Sequence, residues 1–222
     1  MLARQQPDEA CRGRKGERGK RVRRTQERRT AETRAALFAA AVSTIDRLGY
    51  AGANNASIAD EAGITRGTIA HHFSTRAAFM AEVVRWVFEQ ETLAVRDLMA
   101  TRHLGMRVSD WPGLLWEVFS RPSGVAVMEI LVASRSDPDL AALVMPMQEE
   151  VERNGAANFL HRIGAQVTDM AAIRLVVWAI RGMTMGRTFI TDRDGMEEAV
   201  ALLSRLIERA VPTGAFEDLA EL

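Results

Sequence analysis

Residues Ile58 to Phe73, IADEAGITRGTIAHHF, decide how this chain is read. Ile58, Ala59 and Ala62 fall at i, i+1 and i+4, the inward positions of a short helix, and Gly63 stands where such a helix ends in a left-handed residue that glycine adopts at little cost. Two residues on, Thr65 is placed to cap a second helix, its hydroxyl accepting from the unpaired backbone N–H groups of the next turn. Ile69 and Phe73, four apart, share a stripe facing back toward the first helix. Arg66, Gly67, Thr68, Ala70 and His71 are left facing outward, with His72 toward the edge. The pattern is a helix-turn-helix whose second helix offers hydrogen-bonding groups from its first residue. In such motifs the front of the second helix reaches base edges in the major groove. A helical hairpin buried in a core would not need that polar outer face.

The flanking sequence extends the pattern. Helix 1 is expected from about Thr30 to Leu48, burying Leu37, Phe38, Ala41, Val42, Ile45 and Leu48, with Gly49 ending it. Ser74 is placed to cap a long fourth helix with Phe79, Val83, Trp86, Val87, Leu93 and Leu98 inward, ending near the breakers Gly105, Pro112 and Gly113. Helical runs then follow over 114–120, 125–134, 138 to about 163, 168–191 and 195–211, the third opened by Asp137-Pro138 and bent at Pro146. With β signals sparse and 47% hydrophobic residues in 222, the class is all-α: a three-helix, homeodomain-like helix-turn-helix head followed by a larger helical domain.

Coupled elements at fixed spacings between Thr30 and Met80 resemble the DNA-binding domain of the TetR family of bacterial transcription regulators: ALFAAA at 36–41, LGY at 48–50, IADEAGITRGTI at 58–69, HHF at 71–73 and STRAAFM at 74–80. The resemblance implies a regulator, typically a repressor released from its DNA operator by a small-molecule effector. By position, Asn54 stands for the threonine that starts the second helix, and Asn55 matches a phosphate contact. Arg66, Gly67 and Thr68 match positions that approach bases and backbone, His71 and His72 match positions deeper along the recognition helix, and Arg76 replaces a phosphate-binding lysine. Two departures stand out: Ala70 occupies the place of a frequent phosphate-binding tyrosine, and Ala56 that of a base-contacting arginine in some members. Fewer direct contacts from the head are therefore expected, with the deficit met elsewhere.

The N-terminus is where to look for them. Residues 1–34 hold twelve basic side chains against five acidic ones, while the whole chain has 29 of each, so a neutral total conceals a basic arm on an acidic body. The arm, residues 1–28, is poor in apolar residues and contains Gly13, Gly16 and Gly19, so residues 1–20 at least are expected to be disordered when free. Basic arms beside a helix-turn-helix reach the adjacent minor groove, and Arg21, Arg23, Arg24 and Arg28 are assigned that role, against the alternative of a solvated tail. The head then spans 29–75 and an effector-binding and dimerisation domain 76–222.

In that second domain Trp116, Phe119, Met128, Met145, Met147, Phe159, Trp178, Met183 and Met185 are large and adaptable. The resemblance implies an effector pocket there, and Trp116, Phe119, Met128, Met147, Phe159, Trp178, Arg181 and Met185 are its candidates, although methionines and aromatics at helical spacing also build plain core. Arg181, if buried, needs an anionic partner, either a ligand carboxylate or a structural Glu or Asp. The last two helices carry apolar stripes, Ile173, Val176, Val177 and Ile180 on one and Met196, Ala199, Val200, Leu203, Leu206, Ile207 and Ala210 on the other, with Gly182 and Gly186 allowing close approach. Such faces suit a homodimer about a two-fold axis, as the resemblance also implies.

Other classes find less support. Adjacent His71 and His72 diverge by about a hundred degrees on a helix and do not chelate together. His103 and His161 lack ligand spacing, and one cysteine builds no thiolate site. No catalytic residue, cofactor or metal is assigned. The lone Cys11 excludes an internal disulfide, no secretory signal is visible, and the apolar run Met170 to Ile190 is broken by Arg174, Arg181 and Arg187, so a cytoplasmic protein without a membrane span is expected. A constitutive repressor without effector and a helical ligand-binding protein are the alternatives.

Overall fold

In the computed structural model the backbone is described for residues 10–102, 107–163, 170–215 and 218, and side chains for 30–102, 107–154, 170–192, 194–215 and 218. Among these residues the chain is helical throughout, without strands: α1 (Ala10–Gly52), α2 (Asn55–Ala62), α3 (Arg66–His72), α4 (Arg76–Arg102), a 3-10 turn (Val108–Asp110), α5 (Trp111–Phe119), α6 (Pro122–Ser134), α7 (Pro138–Ile163), α8 (Ala171–Phe189) and α9 (Arg193–Ala210).

Local chemistry sets most boundaries. Gly49, at φ +72°, interrupts the helical geometry of α1 where the sequence predicts its end. Asn54 Oδ1 accepts from the Ala56 and Ser57 amides at 2.9 and 3.1 Å, capping α2. At the other end Gly63 is left-handed, φ +65°, and its N–H returns to the Ala59 and Asp60 carbonyls. Asp137 Oδ1 accepts from Leu140 N at 3.0 Å and so caps α7, whose first residue is Pro138. Pro146 lies inside α7.

Several expectations need correction. The fourth helix is capped by Thr75, whose Oγ1 accepts from Ala78 N at 3.0 Å, rather than by Ser74. α6 starts at Pro122 rather than 125, since proline's missing N–H costs nothing in a first turn. α1 begins at Ala10, so the backbone of residues 10–29 continues a helix where composition predicts a disordered arm; Arg, Lys, Gln and Glu are good helix formers in spite of the glycines. Leu48 is 45% exposed because the chain turns at Gly49 before any element covers it. Leu93 is 41% exposed because it faces a cavity rather than a helix.

Two apolar cores result. The first unites the inner faces of α1, α2 and α3 with the front of α4 and with α6 and α7, through residues such as Leu37, Ile58, Ile69, Phe79, Val83, Ile130 and Val144. It therefore crosses the boundary expected near residue 75. The second gathers α5, α8 and α9 around Leu115, Val118, Ile173, Val176, Ile180 and Ile207, with Ala94, Val95, Leu98 and Met99 from the rear of α4 packed against it. Among the described residues α4 alone contributes to both.

Phe79 has no exposed surface and touches the rings of both Phe38 and Phe73, with centroids 6.2 and 4.8 Å away. Truncation to Ala removes a large buried side chain from a shared core, and Phe79→Ala is expected to cost about 3–5 kcal/mol in urea denaturation. Leu93→Ala should change stability by no more than about 0.5–1 kcal/mol.

Candidate DNA-binding surface and interior cavity

α3 is held from behind. Ile69 and Phe73 are buried in the first core, while Arg66, Gly67, Ala70, His71 and His72 are exposed and Thr68 is half-buried. Thr65 occupies the cap position, but its hydroxyl pairs with that of Thr68 at 3.0 Å instead of a backbone amide. A Cβ at Gly67 would approach nothing closer than Thr65 Oγ1 at 3.9 Å, so the helix front is open to close approach from outside. The His71 and His72 rings meet edge-on, 5.5 Å apart, at the far end of the same face.

Not every predicted contact residue is available. Arg76 donates to the Ala53 carbonyl at 2.6 Å and the Tyr50 carbonyl at 2.7 Å, and its guanidinium lies 4.7 Å from the Tyr50 ring centre. It thereby satisfies the carbonyls left at the end of α1, and a phosphate would have to compete for it. Asn54 commits its Oδ1 to the α2 cap, although the residue is exposed. Asn55 is not used in the cap; its Oδ1 is buried with no partner. The side chains of Arg21, Arg23, Arg24 and Arg28 lie outside the described residues.

The head is tied to the body at several points. Arg34 donates to Glu82 of α4 at 2.8 Å while lying over Phe38 and Phe73, with its guanidinium carbon 5.6 and 5.4 Å from the ring centres. Tyr50 N donates to the carboxylate of Glu129 on α6. Within the head, Glu61 on α2 accepts from Ser43 and Arg47 of α1, which together hold its carboxyl below the usual range against the opposing effect of burial.

Behind the rear half of α4 lies a cavity of about 770 Å³, bounded by α4, α5, α7 and α8. Of the residues predicted to line it, Phe119, Met147, Trp178 and Arg181 do. Trp116, Met128 and Met185 do not, nor do Met145 and Met183; Trp116 and Met183 instead pack against the second core. Phe159 has its side chain outside the described residues. Sequence reasoning missed Phe88, Trp111, Leu115, Ile173, Arg174, Val177 and Glu91.

The cavity's chemistry centres on Arg181 and Glu91, 7% and 6% exposed. Nη1 and Nη2 of Arg181 donate to Oε1 and Oε2 of Glu91 at 3.1 and 2.6 Å, a two-pronged pair joining α8 to α4. The guanidinium also stacks on Phe119, 3.7 Å from its ring centre. Of the two partners considered for Arg181, the structural carboxylate is the one present. Glu91 had a signal: it falls four residues after Val87 and eight after Val83, on the inward stripe of α4. Nearer the opening, Arg174 donates to Glu152 at 2.9 and 3.3 Å. Those bonds, with a smaller contribution from Trp178, keep the Glu152 carboxyl below the ordinary range although burial works the other way. Among the described residues no helix is long and apolar enough to cross a membrane, and no group of His, Cys, Asp or Glu is placed to hold a metal ion.

A helix-turn-helix head sharing its core with a helical body that holds a large, partly open cavity defines a two-domain helix-turn-helix protein. Residues 37–83 match the family described as bacterial regulatory proteins, tetR family. It is 32% identical over 137 residues to the HTH-type transcriptional regulator CymR of Pseudomonas putida, a match covering 60% of this chain and 64% of that protein, just under two thirds of its length. Among solved structures it resembles a transcriptional regulator from Rhodococcus sp. RHA1, with a TM-score of 0.59 and 19% identity over 79% of this chain and 96% of the other. It also resembles the multidrug binding protein EbrR complexed with imidazole, with a TM-score of 0.52 and 24% identity over 78% and 93%.

Removing one member of the Arg181–Glu91 pair leaves the other buried and unpaired. Arg181→Ala is therefore expected to destabilise by about 3–5 kcal/mol in urea denaturation. The double replacement Glu91→Leu with Arg181→Met, which removes both charges while keeping volume, should recover most of that loss.

Proposed function

We propose that this protein is a DNA-binding transcriptional repressor that acts as a homodimer and leaves its operator when a small molecule fills the cavity behind α4. The observation that carries the reading is the division of α3: an inner edge locked into the first core by Ile69 and Phe73, and an outer face of Arg66, Gly67, Thr68, His71 and His72 with few partners in the protein. An arginine and two imidazoles on a rigid, open helix supply donors and acceptors suited to base edges and phosphates. Asn55 adds a phosphate contact at the start of α2. The arm residues Arg21, Arg23, Arg24 and Arg28 compensate for the missing side chains at Ala56 and Ala70 by neutralising phosphates or entering the neighbouring minor groove.

Dimerisation is supported by the outer faces of the last two helices. Leu175 and Phe189 are 66% and 79% exposed. With Trp178, Gly182 and Met185 they follow a three-four spacing along one side of α8. On α9, Leu202 and Leu206 are likewise exposed while Val200 and Ile207 face inward. A Cβ at Gly186 would come within 2.9 Å of Met196 on α9, whereas one at Gly182 would meet nothing, leaving Gly182 for a second copy. Apolar stripes of this extent call for a partner, and a two-fold dimer of α8 and α9 hides them all.

The effector reading rests on the cavity's size, which is that of a small-molecule site, and on its wall being the same helix that anchors the head. EbrR is a multidrug binding protein, and a ligand role for this cavity is in keeping with that. A ligand that binds one arrangement of α4 better than another shifts the two heads toward or away from the separation the operator requires.

Wild-type protein should sediment as a dimer at micromolar concentration and shift a preferred duplex. Phe189→Glu with Leu202→Glu should yield a folded monomer with at least about tenfold weaker DNA binding, because two half-sites no longer act together. Arg66→Ala with His71→Ala should keep the dimer and lose discrimination between that duplex and a scrambled one by roughly tenfold or more, at about 1–3 kcal/mol per lost base contact. A variant that distinguishes the two duplexes as well as the wild type does would overturn this reading.

A further inference from the structure

We propose that the cavity selects an uncharged, largely apolar molecule that presents a single hydrogen-bond acceptor, such as a carbonyl oxygen, to the free edge of Arg181. The proposal rests on the effector reading and deepens it, by deriving the class of ligand from how the cavity's charges are already matched.

A guanidinium has five N–H donors. In Arg181 two are directed at Glu91, and one face is covered by Phe119. The remaining three, on Nε and one on each Nη, have no acceptor among the described residues. Yet the only fully buried side-chain polar atom without a partner among them is Asn55 Oδ1, so Nε of Arg181 is not sealed in protein. Arg181 lines the cavity, so the part of its guanidinium that Glu91 leaves unpaired lies at the cavity wall. An unfilled donor at the inner wall of an apolar chamber is a site for an acceptor.

The charge of that acceptor follows from Glu91. The ion pair is complete and buried, so its net charge is zero before any ligand arrives. A ligand carboxylate would either add an unmatched negative charge beside Glu91 or displace Glu91 and leave it buried without a partner, and both are costly. A cation meets the same closed pair and would be stripped of water with no free carboxylate at depth. The second charged pair on the wall, Arg174 with Glu152, is closed as well. Arg85 pairs with Glu82 and Arg96 with Asp97, while Glu89 and Glu150 are exposed, where water screens them. Beyond these pairs the wall carries the neutral polar side chains of Thr92, Gln148 and Asn154, the first and last of them exposed, and is otherwise largely apolar, with Phe88, Trp111, Leu115, Ile173 and Val177. A neutral acceptor takes the Arg181 donor without disturbing any pair.

The test uses four probes with one ring system: methyl 2-naphthoate, 2-naphthoate, 2-naphthylmethylammonium and 2-methylnaphthalene. Each is titrated into the full-length protein without DNA, with binding followed by calorimetry and by quenching of tryptophan fluorescence, since Trp111 and Trp178 line the chamber. The ester should bind at least tenfold more tightly than either ion and several-fold more tightly than the hydrocarbon. In the double variant Glu91→Leu with Arg181→Met the ester should lose its advantage over the hydrocarbon, while hydrocarbon binding persists. Equal or tighter binding of the acid or the ammonium overturns the proposal. So does an ester preference that survives the double variant, or failure of all four probes to bind. None of these outcomes touches the regulator reading, which DNA binding by the unliganded wild type tests separately.

Discussion

The structure depends on one helix belonging to two cores. The front of α4, from Ala77 to Phe88, is buried with the head helices and with α6 and α7, and its rear, from Ala94 to Met99, rests on the core formed by α5, α8 and α9. Glu91 stands between the two stretches, and its pairing with Arg181 fixes α4 against α8. Packed cores resist small displacements, so a helix clamped at both ends transmits a change at one end instead of absorbing it. Anything that alters the cavity beside Glu91 therefore acts on the same element that positions Phe79 beneath Phe73, the residue closing α3.

The head has no independent seat. Its core continues into α6 and α7, Tyr50 is held by Glu129 of α6, and Arg34 is held by Glu82 of α4. Arg76 then secures the turn after α1 by binding two of its carbonyls and stacking on Tyr50. These contacts make the orientation of α3 a property of the body's arrangement. Two arrangements of the body would present two orientations of the recognition face, which is the physical content of a population shift. In the proposed dimer the apolar stripes on α8 and α9 meet the other requirement, since only a fixed pair of heads would have a separation for an operator to match.

Much of this was readable from residue pattern, and the parts that were not have a common cause. Asn54, Gly49 and Gly63 act within a few residues of themselves, so their roles as cap and helix ends follow from local rules. Ile69 and Phe73 follow from helical spacing. Thr65 was misread because the folded chain supplies it another partner, the Thr68 hydroxyl, and the bonds of Arg76 to carbonyls twenty-three and twenty-six residues away were invisible to local rules for the same reason. The cavity shows the same limit. Methionine and aromatic content pointed to the right domain, but which of those side chains face a void and which fill a core is decided by how helices cross. Leu93 makes the point in reverse: a leucine on the expected inner stripe is exposed because the neighbouring helices do not close over it.

The proposed function requires that the outer face of α3, presented twice about a two-fold axis, reads a double helix. Selection of bound sequences from a library of random duplexes, with the wild-type protein at moderate salt, tests it most directly. The predicted result is enrichment of a single site made of two inverted half-sites at a fixed separation. Recovery of unenriched sequence, or of one lone half-site without its inverted repeat, would contradict the account.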